Sequence, residues 1–251
     1  MSWQQPLEEG YFKLEDGRWK LTANHEIQGV TPAMLDWWWD SIDTTERYRL
    51  WHPTDHISFE WLVPPSAHGH VGAIHRVQEF FNGTPEQPLT LDIRWEDPAQ
   101  ANAQYSHVLL ATGTSEGGML DATLMHEYEA MQSGTRMRSH FWLSSHASES
   151  AIAALYEHNK QEMASLSTFV PWLYQSEVEL PLGKGYFALG ERRITRERVV
   201  DSLGKEHTQY RLWTHWEKKT YHLTASSVSA LLQIERIDLS TWTWHATEEG
   251  K

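Results

Sequence analysis

The 251-residue sequence contains no cysteine. This absence excludes disulfide bonds, thiolate zinc fingers and cysteine nucleophiles, so imidazole and carboxylate groups would have to hold any metal ion. No run approaches the roughly 20 apolar residues that a membrane helix needs, and the first residues lack the pattern of a signal peptide. We therefore expect a cytoplasmic protein that binds no membrane.

Basic residues are scarce as well. Lys and Arg number 21 against 34 Asp and Glu, which gives a formal net charge of −13. Nucleic-acid binding needs clustered Lys and Arg, and the sequence has no basic stripe of that kind. We expect no nucleic-acid partner.

Two residue types are abundant instead, namely 14 Trp and 15 His. The tryptophans favour an aromatic core or an aromatic cavity, and the histidines exceed what a core needs. The run Trp37-Trp38-Trp39 is typical of a core, but it is also compatible with the surface of a homodimer.

The hydropathy pattern has period two over most of the first 143 residues and period 3.6 after them. It predicts a hairpin over 10–22, a short helix from Thr31, a helix from Ser148 to Val170 that Pro171 bends or ends, and strands over 51–63, 71–81, 89–95, 105–112, 119–131 and 135–143. We therefore predict an α+β fold in which a curved antiparallel sheet grips a long C-terminal helix and encloses a pocket.

A boundary is predicted where turn-forming residues follow this helix. Residues 1–178 are expected to form the helix-grip catalytic domain. Residues 179–251 are expected to form a small α+β accessory module, with strands near 209–216 and 221–224 and a helix near 227–237.

The long helix carries an acid where an apolar side chain is expected. At 100° per residue, Leu166 and Phe169 lie within about 40° of Leu155, Glu162 lies about 20° away and His158 about 60° away. An ionised carboxylate buried without a partner costs several kcal/mol, so it must be neutralised, paired or bound to a cation. Because His158 and Glu162 are spaced i, i+4, they can converge on one ion. A buried His–Glu hydrogen bond is the alternative.

Two strands also direct polar side chains inward. Alternation assigns Glu79 to the face of Val77 and Phe81, and His126 to the face of Leu124. A fourth ligand is expected from one of two histidines beside a turn, His52 or His56, and the pattern alone does not rank them. Together these residues predict a metal site.

Several motifs resemble the diacetylphloroglucinol hydrolase family. They are VTPAMLDWWW (30–39), YRLWHPTDH (48–56), GAIHRVQE (72–79), HEYE (126–129), RSHFW (138–142) and HNKQE (158–162). The likeness covers roughly residues 10–175 and follows the family's order. It implies a Bet v 1/START-like helix-grip fold and a zinc-dependent enzyme that hydrolyses a carbon–carbon bond, removing an acetyl group from a phloroglucinol ring.

The resemblance also implies roles for single residues. The family's zinc ligands, two His and two Glu, correspond to His56, Glu79, His158 and Glu162. A catalytic histidine near the substrate corresponds to His126, and a tyrosine that holds a phenolic oxygen corresponds to Tyr48. We expect the substrate to contact Tyr48, Trp51 and His140.

The sequence departs from the family at three points. The interval from His56 to Glu79 is shorter than the family's, so His52 and His75 remain alternative ligands. The interval from His126 to His158 is shorter too, and the C-terminal module has no family counterpart.

Three functions are compatible with these observations. The leading one is zinc-dependent hydrolysis of an acyl carbon–carbon bond in a small aromatic, phenolic or β-diketone-like substrate. The alternatives are a non-catalytic carrier of an aromatic polyketide or lipid-like ligand, and a metal-assisted hydrolase of esters or lactones. Bound metal separates the carrier from the enzymes, and the products separate the two enzymes.

Overall fold

The computed structural model divides the chain into two compact units, Met1–Val170 and Pro171–Lys251. The predicted boundary between residues 178 and 179 stays a prediction. The structure describes residues 9–81, 88–115, 118, 120–174, 177–178, 185–189, 192–200, 206–214, 219–223 and 244–246.

The first unit is built on an eight-stranded antiparallel sheet. Its strands are β1 (Gly10–Lys13), β2 (Trp19–Gln28), β3 (His56–Val63), β4 (Ile74–Glu79), β5 (Leu89–Trp95), β6 (His107–Ser115), β7 (Ala122–Met131) and β8 (Gly134–Leu143). They lie in the order β1-β2-β8-β7-β6-β5-β4-β3. The helices are α1 (Pro32–Ser41), α2 (Thr45–Trp51) and α3 (Glu149–Tyr174), and a 3₁₀ helix spans Pro98–Gln100.

Helix α3 packs against one face of this sheet. It begins where the Ser148 hydroxyl accepts a hydrogen bond from the amide of Ala151 (3.2 Å), which caps the first turn. Near this end Ile152 joins a buried cluster with Leu21 and Phe141. The predicted α+β class, with a large antiparallel sheet and a long helix, is confirmed.

Two predicted boundaries differ from the structure. Helix α3 continues past Pro171 to Tyr174, so the proline does not end it. The strand predicted over 51–63 begins only at His56, because Trp51 is the last residue of α2, whose first turn is capped by the hydroxyl of Thr44. Burial of Tyr48 and Leu50 favours this short helix, which would be marginal in isolation.

The second unit contains a five-stranded antiparallel sheet. Its strands are β9 (Gly185–Leu189), β10 (Arg192–Val200), β11 (Glu206–Thr214), β12 (Lys219–Leu223) and β13 (Trp244–Ala246), in the order β12-β11-β10-β9-β13. The helix predicted near 227–237 lies outside the described residues.

A helix that crosses a bilayer must be long and strongly apolar. Within the described part of the chain no helix combines that length with that apolarity.

Candidate metal centre

A cavity of about 130 Å³ lies in the first unit, between the sheet and α3. Its wall is mostly aromatic and aliphatic, with Trp39, Ile42, Trp51, Phe59, Trp61, Phe81, Leu91, Ile93, Trp95, Leu109, Ala111, Leu124, Phe141 and Leu155. The polar side chains in the wall are those of Tyr48, His75, Glu79, His126, His158 and Glu162. Such a pocket, apolar with a few convergent polar groups, is typical of a ligand site.

Two imidazoles and two carboxylates converge beside this cavity. His56 Nε2 lies 3.0 Å from Glu162 Oε1 and 3.9 Å from Glu79 Oε1. His158 Nε2 lies 3.5 Å from Glu162 Oε1 and 3.8 Å from Glu79 Oε2. All four side chains are at least nine-tenths buried. The structure thus brings together the four residues that the family resemblance implies as metal ligands.

Secondary structure accounts for this convergence. His56 is the first residue of β3 and is the direct register partner of Glu79, the last residue of β4. His158 and Glu162 occupy successive turns on the buried side of α3. The two pairs therefore meet where the strand ends face the helix.

Hydrogen bonds from behind orient three of the four clustered side chains. The Nδ1–H of His56 donates to the carbonyl of Tyr48 (2.9 Å), and the Nδ1–H of His158 donates to Asp55 Oδ2 (3.1 Å). The Tyr48 hydroxyl donates to Glu79 Oε1. Backbone carbonyls and carboxylates behind metal-binding histidines fix the tautomer and leave Nε2 as the donor atom.

The cluster fits a divalent cation. The buried Nε2 of His158 has no hydrogen-bond partner among the described residues, although it faces two carboxylates. Burial raises the pKa of the Glu79 carboxyl to about 7. Burial also opposes ionisation of Glu162, but His158 and His56 outweigh it and hold its pKa well below the usual range. Crowded, buried carboxylates with an unused imidazole nitrogen are stabilised by a cation.

A neighbouring group, His52 with Asp55 and His158, has similar spacing but different bonding. Nδ1 of His52 accepts the backbone N–H of Asp55 (3.2 Å), and its Nε2–H donates to Gln161 Oε1 (3.0 Å). Both ring nitrogens of His52 are therefore occupied by hydrogen bonds and are not free for a metal ion. Asp55, the second member of the group, instead holds His158 in place.

His75, the other alternative ligand, lies away from the cluster. It is four residues before Glu79 on one strand, a separation of about 13 Å. Its Nδ1 accepts the indole N–H of Trp95 (3.0 Å), and its ring stacks on Phe59. It belongs to the other end of the cavity.

The residues expected to contact substrate divide into two groups. Tyr48, Trp51 and His126 line the cavity. His140 lies on the opposite face of the sheet, where Glu127 Oε1 accepts from its Nε2 (3.0 Å), because it alternates with the cavity-lining Phe141 on β8. The structure therefore does not bring His140 together with the others.

Sequence reasoning missed the polar residues that support the site. Asp55 accepts a hydrogen bond from His158, which lies 103 residues later in the sequence. Ser139, His25 and Asn159 form hydrogen bonds behind His126 that span up to 134 residues. The position of Asp55 next to His56, a candidate ligand, is a weak sequence signal for its supporting role. No local sequence pattern indicates such a role for the other three residues.

We predict that His75 makes folding sensitive to mild acid. Burial, followed by the charge of His70, lowers its pKa from 6.5 to about 4, against a small opposing effect of Asp92. As the pH falls below about 6.5, the unfolded chain takes up a proton at this residue, whereas the folded protein takes it up only near pH 4. Stability from this residue is therefore complete above pH 6.5 and is lost as the pH falls toward 4.

Urea unfolding of the wild type and His75→Gln at pH 7 and pH 5 measures the effect. Glutamine keeps an acceptor for Trp95 but does not titrate. The wild type should lose about 2 kcal/mol more unfolding free energy than the variant between these pH values. Equal losses in the two proteins would refute the prediction.

Comparisons with known proteins give a family match over this unit. The family model described as the DAPG hydrolase PhiG domain matches residues 2–175, more than half of the chain. The phloretin hydrolase of Eubacterium ramulus is 24% identical over an alignment of 201 residues, and the match covers 67% of this chain and 72% of that enzyme.

Two solved structures of di-domain ARO/CYC proteins are also similar. StfQ, from the steffimycin biosynthetic pathway, has a TM-score of 0.41 and 12% identity, with 78% of this chain and 70% of StfQ covered. BexL, from the BE-7585A biosynthetic pathway, has a TM-score of 0.40 and 11% identity, with 81% of this chain and 75% of BexL covered.

Proposed function

Because the chain belongs to the diacetylphloroglucinol (DAPG) hydrolase family, we propose that it hydrolyses the carbon–carbon bond between an acyl group and a phenolic ring. The observation that carries the proposal is the convergence of two histidines and two glutamates at an aromatic cavity. The similarity to a phloretin hydrolase supports a phenolic ketone as the substrate.

We infer that the cofactor is zinc, held by His56, Glu79, His158 and Glu162. Imidazole and carboxylate ligands suit this ion, and the sequence has no cysteine that would compete for it. Bound zinc supplies a Lewis acid that polarises an acyl oxygen and lowers the pKa of water to about 7.

Tyr48 is proposed to orient the phenolic ring. Its hydroxyl, which donates to Glu79 Oε1, is buried in the cavity wall between the metal ligands and the aromatic surface. Its ring stacks on His56 with centroids 3.8 Å apart, so the hydroxyl is rigidly held. A phenolic oxygen of the substrate can share this hydrogen bond, while Trp51 and Trp39 offer faces and edges for the ring.

His126 is proposed to supply the proton that the reaction needs. When the bond to the acyl carbon breaks, the ring carbon keeps the electron pair and must gain a proton. Nδ1 of His126 is engaged by Ser139 Oγ (2.8 Å), which leaves Nε2 for the cavity. Burial lowers the pKa of His126 to about 4, so its ring is neutral near pH 7. Proton transfer of this kind contributes roughly 10²- to 10⁴-fold to a rate.

Product analysis tests the proposal. Zinc-loaded protein incubated with phloretin and with acetylated phloroglucinols should release a carboxylic acid and a phenol that carries a new ring carbon–hydrogen bond. An aryl ester of matched size serves as the control. Hydrolysis of the ester alone would favour the esterase alternative, and tight ligand binding without turnover would favour the carrier; either result refutes the proposal.

A further inference from the structure

The cavity histidine His126 is connected to the protein surface through two side chains. Ser139 Oγ lies 2.8 Å from Nδ1 of His126 and 3.1 Å from Nε2 of His25. Ser139 is completely buried, whereas His25 is partly exposed. We propose that His25 and Ser139 form a proton relay between solvent and His126; this inference rests on the proposed function.

The direction of each hydrogen bond follows from one fixed acceptor. Glu162 is a carboxylate, so the atom of Asn159 beside its Oε2 (3.5 Å) is the amide nitrogen. The amide oxygen of Asn159 then faces Nε2 of His25 at 3.1 Å, and this nitrogen must carry a hydrogen. The orientation of the amide and the tautomer of His25 are thus set together.

The hydrogen bond between Ser139 and His126 has a fixed direction as well. Because Nε2–H of His25 points at Ser139 Oγ as well, the serine oxygen accepts there and its own hydrogen is free to donate to Nδ1 of His126. A histidine whose Nδ1 accepts carries its proton on Nε2 when the ring is neutral. His126 therefore presents an N–H donor to the cavity.

A neutral imidazole is a weak acid unless its other nitrogen gains a proton as the first one leaves. The Ser139 hydroxyl meets this requirement, because its hydrogen already points at Nδ1. This series of hydrogen bonds allows His126 to donate its Nε2 proton without becoming an imidazolate anion.

The electron pair of the broken carbon–carbon bond takes the Nε2 proton of His126 and becomes the new ring carbon–hydrogen bond. The Ser139 hydroxyl proton moves to Nδ1 of His126, the Nε2 proton of His25 moves to Ser139 Oγ, and a solvent water protonates Nδ1 of His25. The hydroxide left by that solvent water takes the proton that the attacking water loses when its hydroxyl group joins the acyl carbon. The acyl group leaves as a carboxylic acid, whose proton goes to Nε2 of His126. The relay then runs in reverse, restores the starting tautomers and returns one proton to solvent.

Kinetics of His25→Ala and Ser139→Ala test the relay. Both variants should lower kcat for the phenolic ketone by roughly 10- to 100-fold, with KM and bound metal unchanged. Added imidazole should restore His25→Ala, because it can occupy the vacated surface position, and should not restore the buried Ser139→Ala. Wild-type kcat in both variants, or equal behaviour of the two toward imidazole, overturns the proposal.

His25→Gln separates a relay from a merely structural hydrogen bond. The glutamine amide can still donate to Ser139 and Asn159, but it has no second nitrogen that accepts a proton from solvent. The variant should keep the tautomer of His126 and lose as much kcat as His25→Ala. Wild-type kcat in His25→Gln contradicts the relay.

Nitrogen-15 NMR of the histidine rings provides a readout without substrate. At pH 7, His126 should carry its proton on Nε2 and leave Nδ1 unprotonated. If the wild type hydrolyses no phenolic ketone, the proposed function fails, and the spectrum still decides whether the hydrogen bonds run in the direction that the relay requires. A proton on Nδ1 of His126 would overturn that direction and the relay with it.

Discussion

Glu162→Gln will abolish metal binding and hydrolysis together. The Glu162 carboxylate lies 3.0 Å from Nε2 of His56 and 3.5 Å from Nε2 of His158, so of the two proposed carboxylate ligands it is the nearer to both imidazoles. Glutamine keeps the shape but removes the charge and turns an N–H₂ group toward the site. Loss of supporting partners alone costs about 10- to 100-fold in metal affinity, so loss of a ligand should cost at least about 100-fold.

The rate should fall with the metal. Charge stabilisation by a bound ion is worth several kcal/mol, so we expect kcat to drop roughly 10³-fold or more. Metal is measured by elemental analysis of protein purified beside the wild type, and kcat by release of the phenol. Full metal content in an active variant would refute this assignment.

Glu157→Gln is the matched control. It makes the same chemical change on the same helix, but Glu157 is exposed. Metal content and kcat should both stay at wild-type values. A comparable loss in this variant would point to a general charge effect on α3.

His126→Gln is expected to lower kcat by roughly 10²- to 10⁴-fold while metal content stays unchanged. Glutamine is polar and of similar length, but it cannot pass a proton from one nitrogen to another. His126 lies in the cavity wall with its ring stacked on Trp39, and it is not one of the four proposed metal ligands. The variant thus separates proton transfer from metal binding.

His140→Gln gives the comparison for this second prediction. His140 lies on the outer face of the sheet, and glutamine can still donate to Glu127. We expect kcat/KM within about threefold of the wild type, as for a change away from the site. If His140→Gln were the more damaging of the two, the assignment of the cavity face would be wrong.

The inward orientation of the two glutamates was predictable, because the regular residue periods of a helix and a strand determine which face each side chain is on. The 3.6-residue period of α3 assigns Glu162 to the stripe of Leu166 and Phe169, and all three are buried. The two-residue period of β4 likewise assigns Glu79 to the buried face of Val77.

The turn between α2 and β3 was less predictable. His52 and His56 both lie beside it, and only the folded turn distinguishes them, because the backbone N–H of Asp55 occupies Nδ1 of His52. The short helix α2 escaped prediction because tertiary burial of Tyr48 and Leu50 outweighs weak local signals.

His140 illustrates a different limit. His140 was expected to contact the substrate, whereas strand alternation separates it from Phe141 on β8. The register places His126 opposite Ser139, so His126 shares the face of Ser139 and Phe141 and not that of His140. The contact of Ser139 with His25 joins β8 to β2, which are neighbours in the sheet but hold these residues 114 positions apart in sequence, and no sequence period encodes it.

We propose that His56, Glu79, His158 and Glu162 hold one zinc ion at the cavity. Anomalous diffraction from crystals of the purified protein, collected on both sides of the zinc absorption edge, would locate this ion. We predict one strong peak in contact with all four side chains, present above the edge and absent below it. A peak between His52 and Asp55 instead, or no zinc peak in protein that hydrolyses phenolic ketones, would refute the proposed site.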